Sequence, residues 1–157
     1  MVSITLPDNY GNVIAIALGV IPLLSFAHGT VVNGCRKASG IKYPHTHATP
    51  EQCKQSPAAY KFNCAQRAHA NFLENQTQTM LFTLVAGLKY PNAATAISAV
   101  WVVMRSLFLY GYVFSDKPEG NGRYMGGLFW FAQAALWGMS VWGVGGDMLR
   151  LDGFWGS

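Results

Sequence analysis

The chain has 157 residues, of which 51% are hydrophobic and only 11% are charged, and its formal net charge is +4. Soluble domains average about 25% charged residues, and disordered chains have low apolar content. The composition therefore excludes disorder and argues against a surface that faces water on all sides. The length allows one domain, and a membrane-embedded chain is the first hypothesis.

The first predicted element is a long apolar run within residues 10–35. No charged residue occurs from Gly11 through Cys35, and about 20 apolar residues span the hydrocarbon core of a bilayer. Arg36 and Lys37 end the run, and a loop containing several prolines follows at residues 36–57. We predict a membrane-spanning helix at about residues 10–35. A buried helix of a soluble protein is the alternative.

Three further helices are predicted in chain order. Residues 58–88 contain no proline and no glycine before Gly87, and they change from polar to apolar along the segment. Residues 92–114 are uncharged except for Arg105. A turn at residues 115–122 precedes a fourth apolar run at residues 123–148. The pattern predicts an all-α integral membrane protein, a four-transmembrane-helix bundle that forms a single domain over residues 1–157.

The basic residues divide unevenly between the two sides of such a bundle. Two fall on the side of the termini, Lys89 and Arg150, whereas seven follow helices one and three: Arg36, Lys37, Lys42, Lys54, Lys61, Lys117 and Arg123. Because cytosolic loops carry an excess of lysine and arginine, we expect the loops at 36–57 and 115–122 to be cytosolic. This asymmetry explains the positive charge without a nucleic-acid partner.

Two basic residues remain within the predicted helices, Arg67 and Arg105. Charges at membrane depth are costly and persist when they face partners in the bundle interior. Helical spacing places polar side chains on one face of helix two, namely Cys64, Arg67, Asn71, Glu74 and Gln78; helix three aligns Arg105, Phe108 and Tyr112. Such faces could close into a pocket for a ligand with carboxylates and an ammonium group. Alternatively, the charged groups only pair with each other.

Two sequence runs together resemble the signature of a known family. They are FNCAQRAHANFLENQ (Phe62–Gln76) and RSLFLYGY (Arg105–Tyr112). They are similar to the MAPEG proteins, the membrane-associated proteins of eicosanoid and glutathione metabolism, and most similar to the microsomal glutathione S-transferase 3 branch. The segment CRKASGIKYP (Cys35–Pro44) resembles the basic loop of that branch.

The resemblance implies a homotrimer that binds glutathione between neighbouring protomers on the cytosolic side. By motif, the expected glutathione-binding positions are Arg36, Arg67, His69, Asn71, Glu74, Arg105, Phe108, Tyr112 and Arg123. Arg123 is the expected catalytic arginine that stabilises the thiolate, with Arg36 as a second catalytic candidate. Phe108 stands where related members usually have tyrosine, which removes one hydroxyl from the site.

The implied function is that of a glutathione S-transferase that is also a glutathione-dependent peroxidase. Its expected partners are glutathione as co-substrate, a lipophilic electrophile or lipid hydroperoxide, and membrane lipid, with no metal. The expected location is the endoplasmic reticulum or the outer mitochondrial membrane, with the active site toward the cytosol. The alternative is a non-catalytic scaffold or lipid-presenting protein of the same family.

Overall fold

A computed structural model describes residues 5–115 and 117–151, without the side chain of residue 151. All regular secondary structure in these ranges is helical, as the sequence predicts. The predicted range 1–157 and the loop at 115–122 therefore include positions outside the described residues. The helices are α1 (Tyr10–Ser39), α2 (Pro50–Gln55), α3 (Pro57–Gly87), α4 (Pro91–Phe114), α5 (Phe129–Gly138) and α6 (Gly146–Leu151).

Two of the described helices, α1 and α4, are long and apolar enough to cross a membrane. The fourth predicted span contains a π-helical segment, Met139–Gly145, between α5 and α6, and the backbone stays helical across it. A second π-helical segment, Ala15–Val20, lies within α1. Such segments add a residue to a turn and re-aim the side chains that follow.

The end of α1 and the loop after it differ from the prediction. The helix continues through Arg36 and Lys37 to Ser39, four residues beyond the expected end. Basic side chains in a last turn interact favourably with the helix dipole, and Gly40 follows in the left-handed conformation at φ 69°. The loop also contains the short helix α2, capped by Thr49 in a reciprocal pair of hydrogen bonds with Gln52.

The fourth helix also begins later than the expected residue 123. A 3₁₀ segment occupies Pro118–Gly126, and α5 begins at Phe129. Two consecutive residues near the start of this segment, Glu119 and Gly120, have positive φ. Left-handed residues interrupt a right-handed helix, so the backbone after the turn cannot enter an α-helix directly.

The described chain divides into two units. The first unit comprises the described parts of Met1–Pro22, Gln76–Val102 and Leu128–Ser157. Its apolar core centres on Ala86, Ala94 and Leu136. The second unit comprises Leu23–Asn75 and the described part of Val103–Gly127. All of the expected glutathione-binding positions belong to the second unit.

Candidate functional site

Three polar side chains on α3 form one connected group. Arg67 Nη1 donates to Glu74 Oε1 at 2.8 Å, and Asn71 Nδ2 donates to Glu74 Oε2 at 3.3 Å. The contacts follow from helical geometry, because residues 67, 71 and 74 lie on one face. The side chains of Arg67 and Glu74 are 52% and 53% exposed, so this ion pair lies on the surface of the single chain.

Arg105 of α4 extends this group into the interior of the second unit. Its side chain is fully buried, and Nη1 donates to Asn71 Oδ1 at 2.8 Å. The guanidinium also lies 4.7 Å from the ring centroid of Phe108 and 5.5 Å from that of Phe72. Asn71 therefore joins Arg105 on one side to Glu74 on the other. We call Arg67, Asn71, Glu74 and Arg105 the polar relay.

His69 lies beside the polar relay but belongs to a different cluster. Its ring centroid is 6.0 Å from that of His28, which is fully buried and stacks 4.4 Å from Phe72. Among the described residues, neither ring nitrogen of His28 forms a hydrogen bond, and nor does Nδ1 of His69. No contact in the described part of the chain joins His69 to Glu74.

A line of ring contacts connects Arg105 with Arg123 along α4. Phe108 and Tyr112 pack edge to face with centroids 5.7 Å apart. The guanidinium of Arg123 lies 5.9 Å from the Tyr112 ring. Because Arg105, Phe108 and Tyr112 are spaced by three and four residues, they share one face of the helix. The expected catalytic arginine therefore lies at one end of the row that begins with Arg105.

The 3₁₀ segment fixes the position of Arg123. Arg123 Nη1 donates to the carbonyl oxygens of Glu119 and Gly120 at 3.1 and 3.0 Å, and Nη2 donates to the Tyr124 hydroxyl at 2.9 Å. An arginine has five N–H donors, so these bonds to described residues leave donor capacity for a ligand.

Glycines allow the 3₁₀ segment to approach the backbone of α4. A Cβ added at Gly122 would overlap the carbonyl oxygen of Gly111, and one added at Gly126 would overlap that of Met104. Any larger residue must move one backbone away from the other. The contact of Arg123 with the Tyr112 ring therefore depends on these glycines as well as on the arginine.

Arg36 makes its contacts with the loop rather than with the polar relay. Its Nη1 donates to the carbonyl oxygens of His45 and Ile41 at 2.7 and 3.4 Å. The guanidinium lies between two rings, 4.2 Å from the Tyr43 centroid and 4.5 Å from the Phe62 centroid. No contact within residues 5–115 and 117–151 joins Arg36 to the relay.

Several residues that shape this region were not predicted from sequence. Asn63 donates to the Ala48 carbonyl at 2.9 Å and accepts from the Ala48 N–H at 2.8 Å. Gln66 Nε2 donates to the Thr46 carbonyl at 2.5 Å. Asn63 lies one turn before Arg67 and directly before Cys64, the first residue of the predicted polar stripe, so the helical spacing from Arg67 could have included it.

The site combines groups suited to a zwitterionic peptide. Guanidinium groups bind carboxylates through paired hydrogen bonds, and a carboxylate binds an ammonium group. Arg67 and Glu74 are on the surface, where a ligand can reach them, and Asn71 supplies amide hydrogen-bonding groups beside them. Within the described residues there is no group of three or more His, Cys, Asp or Glu side chains that could hold a metal ion.

Comparison with known protein families identifies the family of this chain. The model of the MAPEG family matches residues 14–142, a range that contains α2, α3, α4 and α5 and every residue of the polar relay. MAPEG proteins are membrane proteins that use glutathione and generally form trimers. The family includes glutathione transferases and peroxidases and also non-catalytic members. The match covers most of the sequence, and the chain therefore belongs to the MAPEG family.

Proposed function

We propose that this protein is a membrane-bound glutathione S-transferase with glutathione-dependent peroxidase activity, of the microsomal glutathione S-transferase 3 type. The observation that carries the proposal is the polar relay. A fully buried guanidinium, Arg105, orients Asn71, which in turn contacts the carboxylate of Glu74. A charge is costly to keep inside a membrane bundle and is typical of a functional site.

The chemical groups of glutathione match the side chains of the polar relay one by one. It carries two carboxylates, one ammonium group, two amides and a thiol. Arg67 is suited to a carboxylate, Glu74 to the ammonium group and Asn71 to an amide. Phe108 offers an apolar edge instead of the hydroxyl usual at this position. We therefore assign binding to the relay with His69, Phe108 and Tyr112 beside it.

The exposure of the Arg67–Glu74 pair supports a trimer with sites between protomers. Both side chains are about half exposed, and Glu74 lies near the middle of α3, away from both helix ends. Charged side chains that face lipid are costly and are typically covered by protein partners. A second copy of the chain would cover this pair on the side away from Arg105. In this proposal each chain forms a four-helix bundle and one domain.

Arg123 is proposed to activate the thiol. A free thiol has a pKa of about 8.5 and is mostly protonated at neutral pH. A guanidinium beside the sulfur lowers that pKa, because a nearby positive charge favours the thiolate. A guanidinium is a hydrogen-bond donor without acceptor capacity, so Arg123 would stabilise the anion rather than remove the proton, which leaves to water. Arg36 is the second candidate for this role and must then exchange its loop contacts for the ligand.

The thiolate supports two balanced reactions. In conjugation, the sulfur forms a bond to an electrophilic carbon. A leaving group departs from that carbon, or, in an epoxide, the C–O bond breaks and the ring oxygen takes up a proton. In peroxide reduction, the sulfur attacks the O–O bond to give a sulfenic acid and an alcohol. A second glutathione then displaces water and forms the disulfide, so two thiols are oxidised and one hydroperoxide is reduced. The substrates in both cases are lipophilic and enter from the bilayer.

The expected location is the endoplasmic reticulum membrane, or the outer mitochondrial membrane, with the site toward the cytosol. The support is the excess of basic residues in the segments 36–61 and 117–123 over the opposite side. Glutathione is supplied from the cytosol under this orientation.

The proposal is tested by titrating the full chain in neutral detergent with glutathione, using calorimetry. The variant Glu74→Gln removes the carboxylate and should weaken binding at least about tenfold, since hydrogen bonds to charged groups contribute about 1.5–3 kcal/mol. The matched control is Glu51→Gln, which removes the same charge from an exposed position in α2. The control should bind as the parent chain does.

Measurement of turnover then distinguishes a catalytic protein from a non-catalytic scaffold. The parent chain should conjugate a chloro-dinitrobenzene or reduce a lipid hydroperoxide, and Arg123→Met should bind glutathione but lose most of the activity. Equal affinity in Glu74→Gln and the parent chain would refute the site. Glutathione binding without any turnover would instead support the non-catalytic alternative.

A further inference from the structure

A basic cleft lies at the end of α1, among residues that the glutathione site does not use apart from Arg36. Its volume is about 420 Å³. Three cationic side chains line it, Arg36, Lys37 and Lys42, together with the polar side chains of Asn33 and Tyr43. Its described lining contains no acidic side chain. We call this the basic cleft.

The loop after α1 forms the cleft by folding back on the helix. The N–H of Gly40 donates to the Arg36 carbonyl at 3.1 Å, which closes the last turn. The buried side chain of Ile41 then anchors the chain. Tyr43 returns to the helix, where its hydroxyl lies 3.5 Å from Asn33 Oδ1. These contacts hold the walls of the cleft in place, so its shape does not rest on exposed lysine side chains alone.

The three cations lack an anionic partner within the described part of the chain. The described salt bridges are Arg67–Glu74 and Lys89–Asp147, and neither involves the basic cleft. Arg36 is fixed by the loop carbonyls, but its Nε is buried without a hydrogen bond to any described residue. This buried Nε is therefore not available to a ligand, and the positive charge that faces the cleft comes from the rest of the guanidinium and from the two lysines. Like charges gathered around one cleft attract an anion.

The position along α1 indicates where the anion comes from. The helix has 30 residues and qualifies as a membrane span. At 1.5 Å per residue its length is about 45 Å, the thickness of a bilayer with both headgroup layers. The last turn of α1 therefore lies at the level of the lipid headgroups. Membrane lipids present phosphate groups at this level, and anionic lipids are enriched in the cytosolic leaflet.

We propose that the basic cleft binds the phosphate headgroup of an anionic phospholipid. Arg36 forms the fixed wall, and Lys37 and Lys42 supply mobile positive charges at the rim. Phosphate binds guanidinium and ammonium groups through charge-assisted hydrogen bonds. The basic cleft shares Arg36 with the expected glutathione-binding positions but contains no residue of the polar relay, and its test does not use glutathione.

The experiment measures lipid binding to the full chain in neutral detergent by calorimetry. The probes are dioctanoyl phosphatidic acid, dioctanoyl phosphatidylcholine with identical tails, and inorganic phosphate. We expect saturable binding of phosphatidic acid, weak binding of inorganic phosphate and none of phosphatidylcholine. The double variant Lys37→Gln/Lys42→Gln should weaken the binding of phosphatidic acid at least about tenfold, given the attraction of single basic residues to anionic lipid surfaces.

Two further variants distinguish a specific cleft from general positive charge. Lys54→Gln/Lys117→Gln removes the same charge from exposed positions outside the cleft and should change the affinity less than about threefold. Lys37→Arg/Lys42→Arg keeps the charge and should retain binding. Equal losses in the two glutamine variants would overturn the proposal. Inorganic phosphate that binds as tightly as phosphatidic acid would overturn the assignment to a lipid.

Discussion

The two units of the chain bury polar side chains of different kinds. In the first unit they are neutral: Thr79 and Trp101 both donate to Gln133 Oε1, at 3.1 and 3.2 Å. Thr83 and Ser98 share a hydrogen bond of 2.8 Å. The second unit also buries the side chains of His28 and Asn75, but it buries in addition a cation, Arg105, which is joined to a surface ion pair through Asn71.

Under the proposed function, this difference distinguishes buried polar groups that pack helices together from a buried cation that serves ligand binding. Neutral hydrogen bonds between membrane helices contribute about 0.6–2 kcal/mol each and serve packing. A buried guanidinium has a much larger desolvation cost, and apolar replacement of such groups is often neutral or stabilising. Its presence in the second unit therefore supports the ligand site proposed above.

The largest expected effect comes from Arg105→Met, which replaces the cation by an apolar side chain of similar length. Asn71 loses its donor partner, and we expect glutathione affinity to fall about 100-fold, equivalent to about 3 kcal/mol. The free energy of unfolding should stay the same or rise, because the desolvation cost disappears. Calorimetry gives the affinity, and thermal unfolding in detergent gives the stability. Unchanged affinity with lower stability would show that Arg105 is structural.

The sequence predicts part of this arrangement from spacing alone. The two predicted stripes contain all four residues of the polar relay, because each stripe follows the 3.6-residue period of its own helix. The helical class and the family follow from the apolar runs and the two motifs. Whether the relay binds glutathione is not decided by spacing and stays a prediction.

Other features depend on contacts between distant residues, which a periodic pattern does not contain. Arg36 follows an apolar run and resembles a ligand-binding residue, yet its observed partners are the His45 carbonyl and the Tyr43 ring. The late start of α5 depends on left-handed backbone at Glu119 and Gly120 and on close packing against α4. From sequence alone, Gly122 and Gly126 indicate a turn, but they do not show that the turn packs against the backbone of α4.

A smaller effect is expected at the glycine contacts that position Arg123 in the second unit. In Gly126→Ala the new Cβ meets the Met104 carbonyl and the Phe108 backbone. Overpacking of this kind costs about 1–3 kcal/mol, and the displaced segment should also reduce turnover.

The neighbouring Gly127→Ala is the matched control for this variant. Its φ is −57°, and the nearest atom to an added Cβ is the Tyr124 carbonyl oxygen at 3.4 Å. An alanine fits a helical conformation and should be neutral or stabilise by a few tenths of a kcal/mol. Thermal unfolding and turnover of both variants test the contact. Equal behaviour of the two would mean that the close approach does not position the 3₁₀ segment.

The smallest expected effect is in the first unit, for Gln133→Leu. The variant removes the acceptor shared by Thr79 and Trp101, so the free energy of unfolding should fall by about 1 kcal/mol. Glutathione affinity should not change, because none of these side chains belongs to the polar relay. The two variants should therefore have opposite effects. Arg105→Met should lose glutathione affinity without losing stability, and Gln133→Leu should lose stability without losing affinity. A drop in affinity for Gln133→Leu would mean that the first unit also contributes to the glutathione site, and that neutral buried groups in this chain are not merely structural.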